Sequence, residues 1–245
     1  MNRSASLCSA SLVATLASLA AASASSGQST VKREVIGYSG EHRPIVAWVV
    51  TAPNARRTML VVGSIAGDEP AGRTVVRLLA SQRPIPGVNL WLIPDLNPDG
   101  VARGIRVNAH GVDLNRNFPY RWQHIGNPGS RYYSGRRPGS EPETRALEAF
   151  IRRVRPRLAI WLHQPYGLVD DSQGPRWAER WLARGLGLPL ERLPDYPGSA
   201  IGWEDNLIPR SAFDVELRGG GHLGRAATRL AVDWVRSLAR RFAAR

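Results

Sequence analysis

Cysteine and lysine are nearly absent from this 245-residue chain, which has one of each, Cys8 and Lys32. A single cysteine excludes an internal disulfide framework and any multi-cysteine zinc or iron–sulfur site. No apolar run is long and pure enough for a convincing membrane span; the best, Leu7 to Ala22, is diluted by Ser and Ala. There is no G-x-S-x-G elbow, which disfavours a serine hydrolase, and no Walker-type phosphate loop. Nor is there a helix-turn-helix, finger or RNA-binding signature, so no nucleic-acid partner is expected. That holds despite a formal net charge of +13, carried by arginine. What remains is a chain with 43% hydrophobic and 22% charged residues, long enough for one domain with a substantial core.

Acidic residues are missing altogether before Glu34. Arg3, the Ser- and Ala-diluted apolar run and the small-x-small site Ala22-Ser23-Ala24 follow the layout of a secretory signal peptide. Residues 1–24 are therefore expected to be removed on export to the periplasm or beyond, and residues 31–245 to form the working domain. Cys8 would leave with the leader.

Along that domain, short apolar runs alternate with helical segments. Ile45–Val50, Thr58–Ile65, Val88–Pro94, Leu158–Leu162 and Ala212–Leu217 read as strands. Glu69–Gln82, Ser140–Val154 and Leu223–Ala244 read as helices, the second opened by a capping box of Ser140 and Glu143. This alternation predicts an α/β fold whose mixed, largely parallel central sheet is covered by helices on both faces. Between Asp95 and Gly139 lies a long aperiodic stretch rich in Gly, Asn, Pro and Arg. Loops of that length inside a compact domain are usually functional or disordered, and its aromatics argue against disorder.

Three polar groups follow apolar strand runs: the turn Ala66-Gly67-Asp68-Glu69, His163, and Glu216 in AFDVELR. Ligand crevices of open α/β sheets lie outside the carboxyl ends of the strands, so these groups could converge. Taken singly, each has an ordinary structural explanation as a capping acid, a core histidine or an edge ion pair. The long loop adds Arg103 and Arg106, then Gly111–Pro119 (GVDLNRNFP). Arginine forks there could hold a carboxylate or polarise a carbonyl.

The run NPDG…RGIRVNAHGVDLNRNFP resembles the zinc carboxypeptidase family, and in its short form the murein peptide amidase branch. The likeness extends in order through GSIAGDEP, SEPET, WLHQPYG, YPGS and VELR. It implies a zinc-dependent (Zn2+) peptide hydrolase with Glu69 and His163 as metal ligands. Arg103 resembles the arginine that polarises the scissile carbonyl. Asn115 and Arg116 resemble the pair that grips a terminal carboxylate, and Tyr196 the tyrosine that closes over bound peptide. Glu216 matches the glutamate that takes a proton from water and passes it to the leaving amine. The implied partner is a peptide, in the amidase branch a cell-wall peptide cut at a γ-D-glutamyl–diaminopimelate bond.

One position departs from the pattern. The family's HxxE turn begins here with Ala66, while Ile65, Gly67, Asp68, Glu69 and Pro70 keep the register. Catalytic zinc is usually held by three protein ligands plus water, and the resemblance supplies two. His42, His110, His124, His222 and Asp68 are the side chains that could complete the set; otherwise the chain is a peptide- or cell-wall-binding pseudoenzyme. Asp68 could alternatively face the amine of a zwitterionic substrate, or simply favour the helix macrodipole.

Overall fold

The computed structural model describes Met1 and residues 30–52, 54–171 and 174–245. The expected leader, its cleavage site and Cys8 lie outside the described residues.

Eight strands form one mixed sheet, in the order β1-β2-β4-β3-β5-β8-β6-β7. They are β1 (Thr30–Tyr38), β2 (Pro44–Thr51), β3 (Arg57–Ser64), β4 (Val88–Asp95), β5 (Leu158–His163), β6 (Tyr166–Asp170), β7 (Leu190–Glu191) and β8 (Ala212–Arg218). The centre, β4-β3-β5-β8, is parallel, while β1-β2, β2-β4 and β6-β8 pair antiparallel. Most residues of the central strands β3, β4, β5 and β8 are buried, as a parallel sheet covered on both faces demands.

The helices are α1 (Pro70–Ala80), α2 (Pro98–Arg103), α3 (Pro142–Val154), α4 (Arg176–Leu186), α5 (Ala200–Leu207) and α6 (Arg225–Ala243). On one face Val61, Leu162 and Val215 meet Val75 and Leu79 of α1, Leu182 of α4 and Val235 and Leu238 of α6. On the other, Leu60, Val62, Ile93 and Trp161 meet Leu147 and Ile151 of α3 and Trp203 of α5. This is the expected α/β sandwich.

Two local expectations need correction. The capping box at Ser140 does not form. α3 starts after Glu141 with no side-chain cap, Ser140 Oγ turns to Glu141 Oε1 at 2.5 Å, and Glu143 accepts from Gly40 N at 3.1 Å. The long stretch 95–139 is also not structureless. It holds α2 and a 3-10 turn at Leu114–Arg116, and its buried Asn97, Asn108 and Asn117 bond back to the surrounding chain.

Candidate active site

The carboxyl ends of β3, β5 and β8 open into a cavity of about 410 Å³ lined by Glu69, Arg106, Asn115, Arg116, Arg131, Tyr132, His163, Gln164, Tyr196, Asp214 and Glu216, among others. The sheet register sets much of this geometry. His163 ends β5 directly opposite Glu216 of β8. Asp214 and Glu216 are two residues apart and so share one face of their strand. Glu69 arrives from the turn after β3, where Ser64 Oγ donates to Glu69 O at 2.8 Å. Gly67 is required in that turn, because a Cβ there would lie 2.1 Å from the Gly100 carbonyl carbon.

Glu69 is almost fully engaged. Its Oε2 accepts from His163 Nδ1 at 3.0 Å and Gln164 N at 3.2 Å, and its Oε1 from Arg106 Nη1 at 3.1 Å. Burial alone would raise its pKa, but the imidazole bond and the charges of His163 and Arg106 prevail and hold it below the usual glutamate value. On its other side, His163 Nε2 lies 3.3 Å from Asp214 Oδ1. Burial disfavours the imidazolium, yet two flanking carboxylates favour it, so the pKa of His163 is raised. Glu216 goes the opposite way to Glu69. Burial, helped by the negative charges of Asp214 and Glu69, pushes it up to about 7, against the pull of His163.

Gln164 was not singled out from the sequence, although it fixes the site. Its Oε1 accepts from Ala71 N of α1 at 2.9 Å, and its Nε2 donates to Gly221 O at 2.8 Å and to Gly219 O. One amide thereby ties the start of α1 to the loop after β8.

The long loop supplies the cations. Arg116, 8% exposed, donates from Nη1 to Asn115 O at 2.7 Å, and its guanidinium lies 4.2 Å from the centre of the Tyr196 ring. Asn115 Oδ1 accepts from Ala200 N at 2.9 Å, linking the loop to α5. Gly198, at φ 69°, packs where a Cβ would sit 2.3 Å from Arg116 O, so a side chain there would push the Tyr196 segment away from Arg116. Tyr132 faces Arg106, Arg116 and Arg131 at 5.2, 5.8 and 5.9 Å.

Of the residues nominated from sequence, Glu69, His163, Asn115, Arg116, Tyr196 and Glu216 share this cavity. Arg103 does not. It is the last residue of α2, its side chain is 43% exposed, and it pairs with Glu41 on the surface. The arginine of this segment that lines the cavity is Arg106, its side chain 11% exposed, which also donates from Nε to Asp113 Oδ2 at 2.9 Å. The physical reason is Gly104. At φ 65° it ends α2 and reverses the chain, and Arg106 O then accepts from Gly67 N at 3.3 Å and Asn97 Nδ2 at 3.0 Å.

The zinc expectation can be set against the donors present. Ala66 is 1% exposed and offers no ligand. His42, His110, His124, His222 and Asp68 are not among the lining residues of the cavity. His110 bonds Glu141 Oε2 at 2.7 Å, and Asp68 pairs with Arg131 at 3.0 Å. Among the described residues no group of three or more His, Cys, Asp and Glu could hold a metal ion. Glu69 and His163 bond to each other, so the two remaining donors do not form a three-ligand zinc site.

Comparison with known proteins sets this site in a family. Residues 16–169 match the family model described as zinc carboxypeptidase. Murein peptide amidase A of Escherichia coli strain K12 is 35% identical over 171 residues, covering 64% of this chain and 69% of the relative. Its counterpart in Vibrio campbellii is 33% identical over 159 residues, covering 59% and 63%. The crystal structure of murein-tripeptide amidase MpaA from E. coli O157 superposes with a TM-score of 0.68 at 28% identity, over 89% of this chain and 93% of that one. A carboxypeptidase A from Helicoverpa armigera shares the fold, with a TM-score of 0.75 at 19% identity over 88% of this chain and 69% of that one. No helix among the described residues is long and apolar enough to cross a membrane. The chain therefore belongs to the zinc carboxypeptidase family, as a metallocarboxypeptidase-like hydrolase of peptides.

Proposed function

We propose that this protein is exported and acts on cell-wall peptide as a murein peptide amidase, at the bond between γ-D-glutamate and diaminopimelate. The observation that carries the reading is that two arginines largely withdrawn from water, Arg106 and Arg116, stand in one cavity with Glu216. Similarity to the murein amidases supports the substrate class, and the leader-like N-terminus supports export.

In this reading Arg116, braced by Asn115 and covered by Tyr196, holds the terminal carboxylate of the peptide. Arg106 aims its guanidinium at the carbonyl to be attacked, where negative charge develops. Glu216 exchanges a proton with the attacking water and the leaving amine. The carbonyl-polarising role thus moves from Arg103 to Arg106. We also propose that Ala66 stands where the family places its first ligand histidine. Activation of water is then the step this donor set supports least, and no part of the reading above is routed through a metal.

Ala66 favours a second reading, a binder of the same peptide that does not turn it over. The test incubates the purified mature chain and its Ala66→His variant with the cell-wall tripeptide and zinc, and measures released diaminopimelate. Release should be slow for the natural chain and at least about 10-fold faster for the variant, given what even outer-shell changes cost a metal site. Cleavage of ordinary C-terminal residues with diaminopimelate untouched would end the amidase assignment. An equally folded Ala66→His protein with no gain would end the ligand reading. Tight binding without release by either protein would leave the binder.

A further inference from the structure

The other end of the sheet carries a second concavity that the peptide chemistry does not use. A groove of about 680 Å³ opens where β3 and β5 begin, lined by Arg57, Arg155, Arg157, Arg210, Arg245 and Trp177 with apolar neighbours. Arg57 is the first residue of β3, and Arg157 immediately precedes β5. His163 lies six positions beyond Arg157 along β5, so the groove is roughly 20 Å from the catalytic end.

Its charge is one-sided. Among the described residues no Asp or Glu lines it, and none of its five arginines makes a salt bridge. Asp205 stands behind the Arg210 turn, with Oδ1 accepting from Ser211 N and Ala212 N at 2.8 and 2.9 Å. Aromatic rings position two of the arginines instead. Trp177 stacks on Phe242 at 6.4 Å and 16°, Arg245 lies 4.2 Å from the Trp177 ring centre, and Arg57 lies 5.3 Å from that of Phe242. Cation–π contact of this kind holds a guanidinium in place without neutralising it. Its donors remain available, in a planar fork that matches phosphate oxygens bidentately.

Five like charges facing one groove repel each other, a cost a polyanion would remove. A single carboxylate would engage one or two of them. We propose that this groove is a second binding site, for a ligand carrying two or more phosphate groups. The site is independent of the peptide reading and stands or falls separately from it.

The test is calorimetric titration of the full mature chain with tripolyphosphate and, separately, inorganic phosphate, at low and moderate salt. Tripolyphosphate should bind at least about 10-fold more tightly than phosphate. Arg157→Gln and Arg210→Gln should each weaken it about fivefold or more, as expected for lost charge-assisted hydrogen bonds at a solvent-open site. Arg229→Gln removes the same charge from an exposed position on α6 outside the groove and should change affinity less than about twofold. Unchanged melting of each variant confirms folding. Vesicles with and without phosphatidylglycerol identify the source. Retention on the anionic vesicles that both groove substitutions abolish, and that tripolyphosphate competes away, assigns the phosphates to lipid headgroups. Binding of tripolyphosphate without such retention assigns them to a soluble ligand. Equal weakening by Arg229→Gln, no binding of either probe, or duplex-DNA binding that survives both groove substitutions would overturn the proposal.

Discussion

The two ends of one sheet treat arginine in opposite ways. At the carboxyl ends of the strands, Arg106 is largely withdrawn from water between Glu69 and Asp113, with a carboxylate within hydrogen-bond reach on each side. At the amino ends, Arg57 and Arg245 lie against aromatic rings, and none of the groove's arginines makes a salt bridge among the described residues. The sheet is the same; the difference is burial. A charge withdrawn from water has to find a counter-charge or hydrogen-bonding partners, as Arg106 and Arg116 do, whereas one left at the surface needs only an orienting contact. An arginine-rich composition therefore says little until each guanidinium is placed.

That comparison can be broken experimentally. The largest effect should come from Arg106→Ala, which leaves Glu69 and Asp113 buried without their cation. Unfolding in urea should show a loss of about 3–5 kcal/mol, whereas Arg103→Ala, on the exposed Glu41 pair, should stay within about 1 kcal/mol. Equal losses would mean that burial is not what separates the two arginines. Next, Arg116→Ala should weaken binding of a peptide with a free C-terminus about 10–100-fold in calorimetry, and amidation of that terminus should erase the difference.

Glu204 sharpens the contrast, because it is a buried acid with no salt-bridge partner among the described residues. Its Oε2 accepts from the Trp161 indole N–H at 2.9 Å, and burial pushes its pKa up to about 8. The folded pKa exceeds the unfolded one, so the folded state holds the proton more tightly. Its contribution is most favourable below the unfolded value and declines as pH climbs towards 8. Glu204→Gln should therefore melt like the natural chain near pH 4 and roughly 5 °C above it near pH 8. A constant difference across that range would show that Glu204 does not titrate with unfolding. The smallest effect belongs to the basic end. Arg155 caps α3 at φ 46°, a region where glycine is unstrained, and Arg155→Gly should stabilise the chain by at most about 1 kcal/mol.

The central sheet was legible because β3, β4 and β5 each carry an apolar run of four or more residues, and β8 keeps apolar residues around its Asp214 and Glu216. β1 was not, since TVKREVIGY mixes charges with apolar residues at the sheet edge, and β7 is only two residues long. In the site, Glu69, His163 and Glu216 could be nominated because each sits at or just beyond the end of an apolar strand. Arg103 and Arg106 could not be told apart, because the deciding event is the left-handed turn at Gly104 rather than either arginine's identity. Gln164 escaped notice for a similar reason: its role lies in backbone groups of α1 and the loop after β8, which sequence spacing does not bring together.

The clamp between Asn115 and Ala200 has a consequence for timing. With Asn115 Oδ1 bonded to Ala200 N, and Phe118 N to Gly198 O at 3.0 Å, the backbone on the C-terminal side of Tyr196 is pinned to the loop that carries Arg116. Covering or uncovering Arg116, the residue proposed to hold the peptide carboxylate, then requires the phenol to swing about its own side-chain bonds, not a flap to unfold. Rotamer changes of exposed side chains occur in picoseconds to nanoseconds. Passage into and out of this end of the cavity should accordingly be limited by diffusion and contact strength rather than by a slow gate.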